Sequence, residues 1–330
     1  MQNLGIAITG SGSAVPATSL DNQSLSELVE TSDEWVTTRT GIRQRRLALP
    51  SESLSVLATA ASRQAIASAG IAASDLDLIL LATSTSDDLF GTACQIQAEL
   101  GATKAVAFDL TAACSGFVFG LVTAAQYIKT GVFQNVLLIG ADILSRWVDW
   151  QDRGTCVLFG DGAGAIVLQA SKSDRLLGFA LKSDGTQNHQ LNLSYAASSQ
   201  ELLPGVNITK GTYQPITMNG KEIYRFAVQK VPEIIDKALF QANLSVDKID
   251  WLILHQANQR ILDAVAQRLN IPQHKVISNL AQYGNTSAAS IPLALDEAVR
   301  QDKIKPNDII ATSGFGAGLT WGAAIFQWGR

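Results

Sequence analysis

A layered α/β/α/β/α core made from two copies of one α/β unit is the fold class this sequence predicts, on three observations. Apolar strand-type runs alternate with helix-type segments, the pattern of sheets covered on both faces. Four of these runs have an echo 158 to 173 residues further on, in the same order: 77–83 with 250–255, 105–110 with 275–280, 136–139 with 309–312, and 164–169 with 322–327. Composition allows two fused cores, since the 330 residues are 47% hydrophobic and only 16% charged. The halves are expected to divide as 1–172 and 173–330, within the polar stretch at 170–175.

In chain order, residues 6–12 read as a strand. Its Gly10 and Gly12 are too few for a dinucleotide-binding turn: no third glycine follows at the required spacing, and Pro16 and Thr18 continue a loop. An acidic helical segment spans 20–34. Beside it Trp35 stands among Arg39, Arg43, Arg45 and Arg46, which reads either as a solvated basic loop or as a site for a phosphorylated ligand with an aromatic head. A helix at 53–70 feeds the strand at 77–83. Cys94 lies in a helical pattern and Cys156 precedes an apolar run, so both read as packed core.

Residues 105–108 form a short strand that passes through 109–113 into a long apolar helix, and Cys114 sits at the join. The unpaired N–H groups and partial positive charge of a helix start bias a thiol toward thiolate, which makes Cys114 the candidate nucleophile. Residues 160–164 read as tight turns and not as a phosphate loop, because no Gly-Lys-Ser/Thr follows. The stretch 183–218, rich in Ser, Asn, Gly and Gln, reads as a long loop able to cover a site. His255 ends the apolar strand of the second half, and Asn285 occupies the repeat counterpart of the Cys114 junction. Strand ends and strand-to-helix turns are where α/β proteins gather ligand-binding groups. The other histidines, His189 and His274, fall on polar segments.

A formal net charge of −4 argues against nucleic acid as a partner. No apolar run approaches the ~18 residues of a membrane span, and the first ten residues carry no signal pattern, so a soluble cytoplasmic protein is expected, with no membrane partner. Three cysteines without CxxC spacing suggest neither a disulfide framework nor a zinc site.

Taken together, Ala112-Ala113-Cys114-Ser115-Gly116, His255-Gln256-Ala257-Asn258, Gly284-Asn285-Thr286-Ser287 and the blocks at 31–42, 160–164 and 314–322 resemble the β-ketoacyl-acyl-carrier-protein synthase III family of condensing enzymes. The resemblance runs end to end and implies the thiolase-like duplicated fold. It implies that Cys114 takes an acyl group, usually acetyl, from acyl-CoA. Malonyl on its acyl carrier protein then loses carbon dioxide and attacks the thioester, which starts type II fatty-acid synthesis. A covalent intermediate avoids gathering three reactants at once. Decarboxylation leaves an enolate, and His255 with the Asn285 amide can hold its negative oxygen as neutral donors that do not quench the carbanion.

By the same resemblance, Cys114 and the turn carrying Phe315 and Ala317 supply the oxyanion hole and pocket. Trp35 and Arg153 sandwich the adenine of CoA, Arg39 meets its phosphates, and Gly220 and Asn258 line the pantetheine tunnel. The carrier protein docks on Gln256, Ala257, Asn258, Gln259 and Arg260, with Arg225 and Arg268 facing the acidic partner; no cofactor or metal is required, and a homodimer is implied. One departure stands out. Leu89-Phe90-Gly91 replaces the family's Phe-Pro in a loop that reaches the partner's acyl pocket, which leaves primer length and branching open. A related condensing enzyme of polyketide-synthase type, using a CoA-linked acceptor, is the alternative. A hydroxymethylglutaryl-CoA synthase would need a catalytic glutamate that these blocks lack, and a non-catalytic scaffold would not need Cys114, His255 and Asn285 together.

Overall fold

The structure, a computed structural model, describes residues 4–329. Strand β1 (Gly5–Ala14) leads to helix α1 (Asp33–Thr40), whose Ser32 cap accepts the Trp35 N–H at 3.1 Å. Helix α2 (Leu54–Ala69) is begun by Ser53 over the Val56 N–H and ended by Gly70 at φ 69°. A side chain on Gly10 or Gly12 would lie 2.4 or 2.3 Å from an α2 carbonyl, so these glycines serve close strand–helix packing. Next come β2 (Leu78–Ala82), α3 (Ala93–Leu100), β3 (Val106–Leu110), α4 (Gly116–Lys129), β4 (Asn135–Ile143) and β5 (Asp161–Ser171). Their sheet has the order β1-β5-β4-β2-β3, with β2 parallel to both neighbours and β5 antiparallel to both of its own.

The chain passes to the second sheet between Ser171 and Leu176. There β6 (Leu176–Ser183) is followed by β7 (Tyr195–Leu203), β8 (Val206–Tyr213), α5 (Gly220–Ala242), β9 (Trp251–Leu254), α6 (Gln259–Arg268), α7 (Ser290–Arg300), β10 (Ile309–Gly316) and β11 (Thr320–Gln327). The order β9-β10-β11-β6 repeats β2-β4-β5-β1, with the same parallel and antiparallel pairings. Burial explains the stacking. Phe117, Val118, Leu121 and Ala125 of α4 share one cluster with Ile291, Ala294 and Leu295 of α7 and with inward residues of both sheets, so these helices form the middle layer. Helices α2 and α3 cover the outer face of the first sheet, and α5 and α6 that of the second. Each fully buried Leu or Ile in these clusters contributes about 1.5–3 kcal/mol.

Several sequence expectations change here. The segment 20–34 is not one helix. It holds a short strand (Ser19–Asp21), one helical turn (Asn22–Leu25) and the start of α1, because the Asp21 and Ser32 side chains each cap a separate beginning. The echo of β3 at 275–280 is no strand but a single parallel bridge of Val276 to Leu252, followed by a helical turn at Leu280–Tyr283. Residues 183–218 are not all loop, since β7 and β8 pair as an antiparallel hairpin. Exposure on both faces removes the alternation that would have marked it. Cys94 is exposed, on a short helix beside the edge strand β3.

Candidate active site

Two junctions of one construction meet in the middle layer. β3 runs through the 3-10 turn Ala113–Ser115 into α4, and in the second half the turn Ser287–Ala289 runs into α7. Ala113 at φ 47° and Ser287 at φ 50° hold the left-handed conformation at matching places, a strain that the surrounding packing must enforce. Cys114, 8% exposed, lies where a cavity of about 880 Å³ meets a narrower one of about 110 Å³. The narrower space is lined by Cys114, His255 and Asn285 together, with Gly220, Asn258, Ala257 and Phe315. Ala317 and Leu89 line the wider one instead, so Phe315 and Ala317 belong to different cavities. A side chain on Gly316 would come within 2.7 Å of the Cys114 backbone nitrogen, and only glycine lets this turn close over the thiol.

Electrostatics corrects one expectation. Burial pushes the Cys114 thiol up to about 12, against a hydrogen bond from Ser287 that lowers it, and the nearby Asp142 charge adds to the rise. On these interactions the resting group is a thiol. His255 is neutral for the same reason: burial pulls its imidazole down to about 3. Its Nδ1 lies 2.8 Å from Ser290 Oγ, which also accepts the Gln256 N–H at 3.3 Å. Ser290 Oγ can give its own hydrogen to Nδ1, and in that arrangement Nε2 carries the imidazole proton. Asn285 Oδ1 accepts the Ser287 N–H at 2.9 Å, which leaves its Nδ2 as the end free to donate. Its main chain is fixed by Leu158 O and by the Gly160 N–H, at 2.9 and 3.0 Å.

Toward the surface, the Arg153 guanidinium sits 4.9 Å from the centre of the Trp35 ring and donates to Glu30 O. An aromatic ring held between them needs about 7 Å, twice a carbon contact, so the pair must part to admit one. Arg39 is exposed at the end of α1, and its carbonyl accepts from Asn258 Nδ2 at 3.1 Å; Asn258 Oδ1 also caps α6. Arg45 does not belong to this surface. It is 0% exposed and donates to Leu20 O, Asn22 Oδ1 and Val157 O.

Gln256 does not belong to a docking surface either. Fully buried, it donates to Leu254 O at 2.7 Å and accepts the Asn279 N–H, so its amide stays inside with its polar ends satisfied by main-chain groups. Ala257, Asn258 and Gln259 are half-buried, while Arg260, Arg225 and Arg268 are exposed on α5 and α6. Arg260 stacks over Tyr224, Arg225 pairs with Glu222, and Arg268 donates to Val228 O. Sequence reasoning missed Ser287, Ser290 and Asp142. The signal was available in the small polar residues after Asn285 and in a lone acid within the apolar run that became β4.

Comparison with known proteins agrees with this geometry. Residues 108–185 match the family model described as 3-oxoacyl-[acyl-carrier-protein (ACP)] synthase III, and 239–328 its C-terminal model. The chain is 86% identical over 330 residues to the β-ketoacyl-[acyl-carrier-protein] synthase III of Trichormus variabilis, covering 100% of both. It is 70% identical to that of Trichodesmium erythraeum, over 99% of this chain and 100% of the relative. Among solved structures, 3-oxoacyl-[acyl-carrier-protein] synthase III from Aquifex aeolicus superposes with a TM-score of 0.90 at 43% identity, over 98% of this chain and 100% of that one. The priming β-ketosynthase of the R1128 polyketide pathway superposes at 0.91 and 34%, over 99% and 97%.

Proposed function

The chain belongs to the 3-oxoacyl-[acyl-carrier-protein] synthase III family of thiolase-like condensing acyltransferases in fatty-acid biosynthesis, and from that premise we propose how its residues divide the reaction. Cys114 takes an acyl group, acetyl in the simplest case, from acyl-CoA, and the wider cavity receives the chain. Malonyl on the acyl carrier protein then enters the narrower space. As carbon dioxide leaves, charge develops on the thioester oxygen, and His255 Nε2–H and Asn285 Nδ2–H stabilise it. The observation that carries this reading is the shared cavity: one thiol faces two neutral donors whose other ends are already engaged by Ser290 and Ser287.

The CoA head group is assigned to Trp35, Arg153 and Arg39, and its pantetheine arm to Gly220 and Asn258. The carrier protein is assigned to Arg225, Arg260 and Arg268. A homodimer is supported by Leu89 and Phe90, 81% and 100% exposed, beside the unpaired edge of β3 where Val106 is 51% exposed. Apolar side chains and a bare strand edge need a cover. The working compartment on this reading is the cytoplasm, and among the described residues no helix is long and apolar enough to cross a membrane. The catalytic steps proposed need no cofactor. Similarity to a priming β-ketosynthase of a polyketide pathway favours, as second reading, a condensing enzyme of polyketide-synthase type, which the sequence reading paired with a CoA-linked acceptor. Supplying acetyl-CoA with malonyl carrier protein and, separately, with malonyl-CoA tests the choice: 3-oxoacyl product is expected from the carrier-linked acceptor, and product from malonyl-CoA alone would overturn it.

A further inference from the structure

Asp142, near the end of β4, is a buried acid that the reaction above does not use; it is 0% exposed, and among the described residues no cation pairs with it. Its Oδ1 accepts Ser84 N–H at 2.8 Å, Thr85 Oγ1 at 2.9 Å and Thr83 Oγ1 at 3.2 Å. Its Oδ2 accepts the Ala288 N–H at 3.1 Å, across the boundary between the two halves. Gly140, two residues back along β4 and so on the same face of the strand, meets the same turn: a side chain there would lie 2.2 Å from Ala288 O. Strand β4 thus lets the Ser287–Ala289 turn come close at Gly140 and holds it at Asp142.

That turn governs Asn285. The Asn285 main chain is already fixed by Leu158 O and the Gly160 N–H, so what remains to be set is the direction of its side chain. Its Oδ1 accepts the Ser287 N–H at 2.9 Å, and this bond leaves Nδ2 to face the narrower cavity. Ser287 offers its N–H from φ 50°, a conformation that a serine does not keep without support. The next N–H along the chain is the one that Asp142 holds.

We propose that Asp142 is a positioning residue for Asn285: by holding the Ala288 N–H, its carboxylate keeps Ser287 in the left-handed conformation that aims the Asn285 amide at the enolate oxygen. The inference rests on the reading of Asn285 as an enolate donor. A carboxylate suits this place where an amide would not, because it offers acceptors on both sides to groups that all donate. An asparagine would keep its oxygen toward Ser84, Thr85 and Thr83 and turn its NH2 toward the Ala288 N–H. Two donors would then meet, and the turn would give way on the side of Asn285, while the wall of the wider cavity at Ser84 and Thr85 stayed in place.

Asp142→Asn in the full chain tests this, with carbon dioxide release from malonyl carrier protein read beside acetyl transfer from acetyl-CoA to Cys114. The expected result is a fall of about tenfold or more in decarboxylation, with transfer changed less than about threefold. In an Asn285→Ala background the same substitution should change decarboxylation less than about threefold, because the amide through which Asp142 acts is gone. Should Asp142→Asn not fold, an ester in place of the Ser287–Ala288 peptide bond, which removes the Ala288 N–H and no side chain, is expected to give the same split. Unchanged decarboxylation in the folded variant, equal losses in both half-reactions, or a loss that adds in full to that of Asn285→Ala would overturn the proposal. So would failure of both proteins to fold, which would make the contact a support of the whole fold. Decarboxylation untouched by Asn285→Ala alone would overturn the enolate-donor reading itself, and the proposal with it.

Discussion

Replacing His255 with alanine separates the two half-reactions. In water an imidazole titrates near 6.5, and here burial brings it down to about 3, so holding an imidazolium at this site costs on the order of 5 kcal/mol. The neutral donor therefore persists across the working range, oriented by Ser290 at 2.8 Å and packed edge-on against Phe315 with ring centres 5.4 Å apart. His255→Ala removes one of two hydrogen bonds to the developing enolate, a loss of roughly 10²–10³ in rate, or about 3–4 kcal/mol. Acetyl transfer from labelled acetyl-CoA to Cys114 should change less than about tenfold, because no charge at the His255 position is needed there. Carbon dioxide release from malonyl carrier protein reports the second half-reaction. Equal losses in both halves would refute the division of roles. So would a limb in the wild-type condensation profile near pH 6.5 that disappears in the variant, since it would mean that His255 works through protonation.

Ser290→Ala should impair condensation about tenfold and transfer less, by freeing the imidazole tautomer, and should cost about 1–3 kcal/mol in urea unfolding because the buried Gln256 N–H loses its acceptor. The Cys114 thiol makes stability depend on alkaline pH. It ionises near 9 when unfolded and is held up to about 12 in the fold, so its contribution is whole below pH 9 and is lost as pH rises toward 12, on the order of 4 kcal/mol at the top. Cys114→Ala should show a correspondingly smaller fall in stability between pH 8 and pH 11. Reversing charge at Arg225 and Arg260 should raise KM for malonyl carrier protein and leave that for acetyl-CoA unmoved, with the difference shrinking at high salt; an equal effect on both substrates would place the docking face elsewhere.

The duplication was legible because apolar strands covered on both faces keep their pattern wherever they occur: 77–83 and 250–255 became equivalent strands, β2 and β9. It failed at 275–280, where one bridge replaces a strand, since an edge position needs no continuous apolar run. The junction residues Cys114 and Asn285 could be found because strand-to-helix turns are fixed by connectivity. Arg45 and Gln256 could not be told from surface residues, because nothing local distinguishes a polar side chain that satisfies buried main-chain groups from one that meets solvent. The burial of the Cys114 thiol was not legible for a related reason: a helix start is visible in sequence, whereas depth of burial, which pushes the thiol up, is a property of the assembled halves.

The central claim is that one sulfur, buried at the start of α4, carries the acyl group. Incubating the protein with acetyl-CoA and mapping the product by peptide mass spectrometry tests it directly. One acetyl group per chain on Cys114, absent from Cys114→Ala, is the predicted result. A stoichiometric label that persists in that variant, or that maps to Cys94 or Cys156, would contradict it.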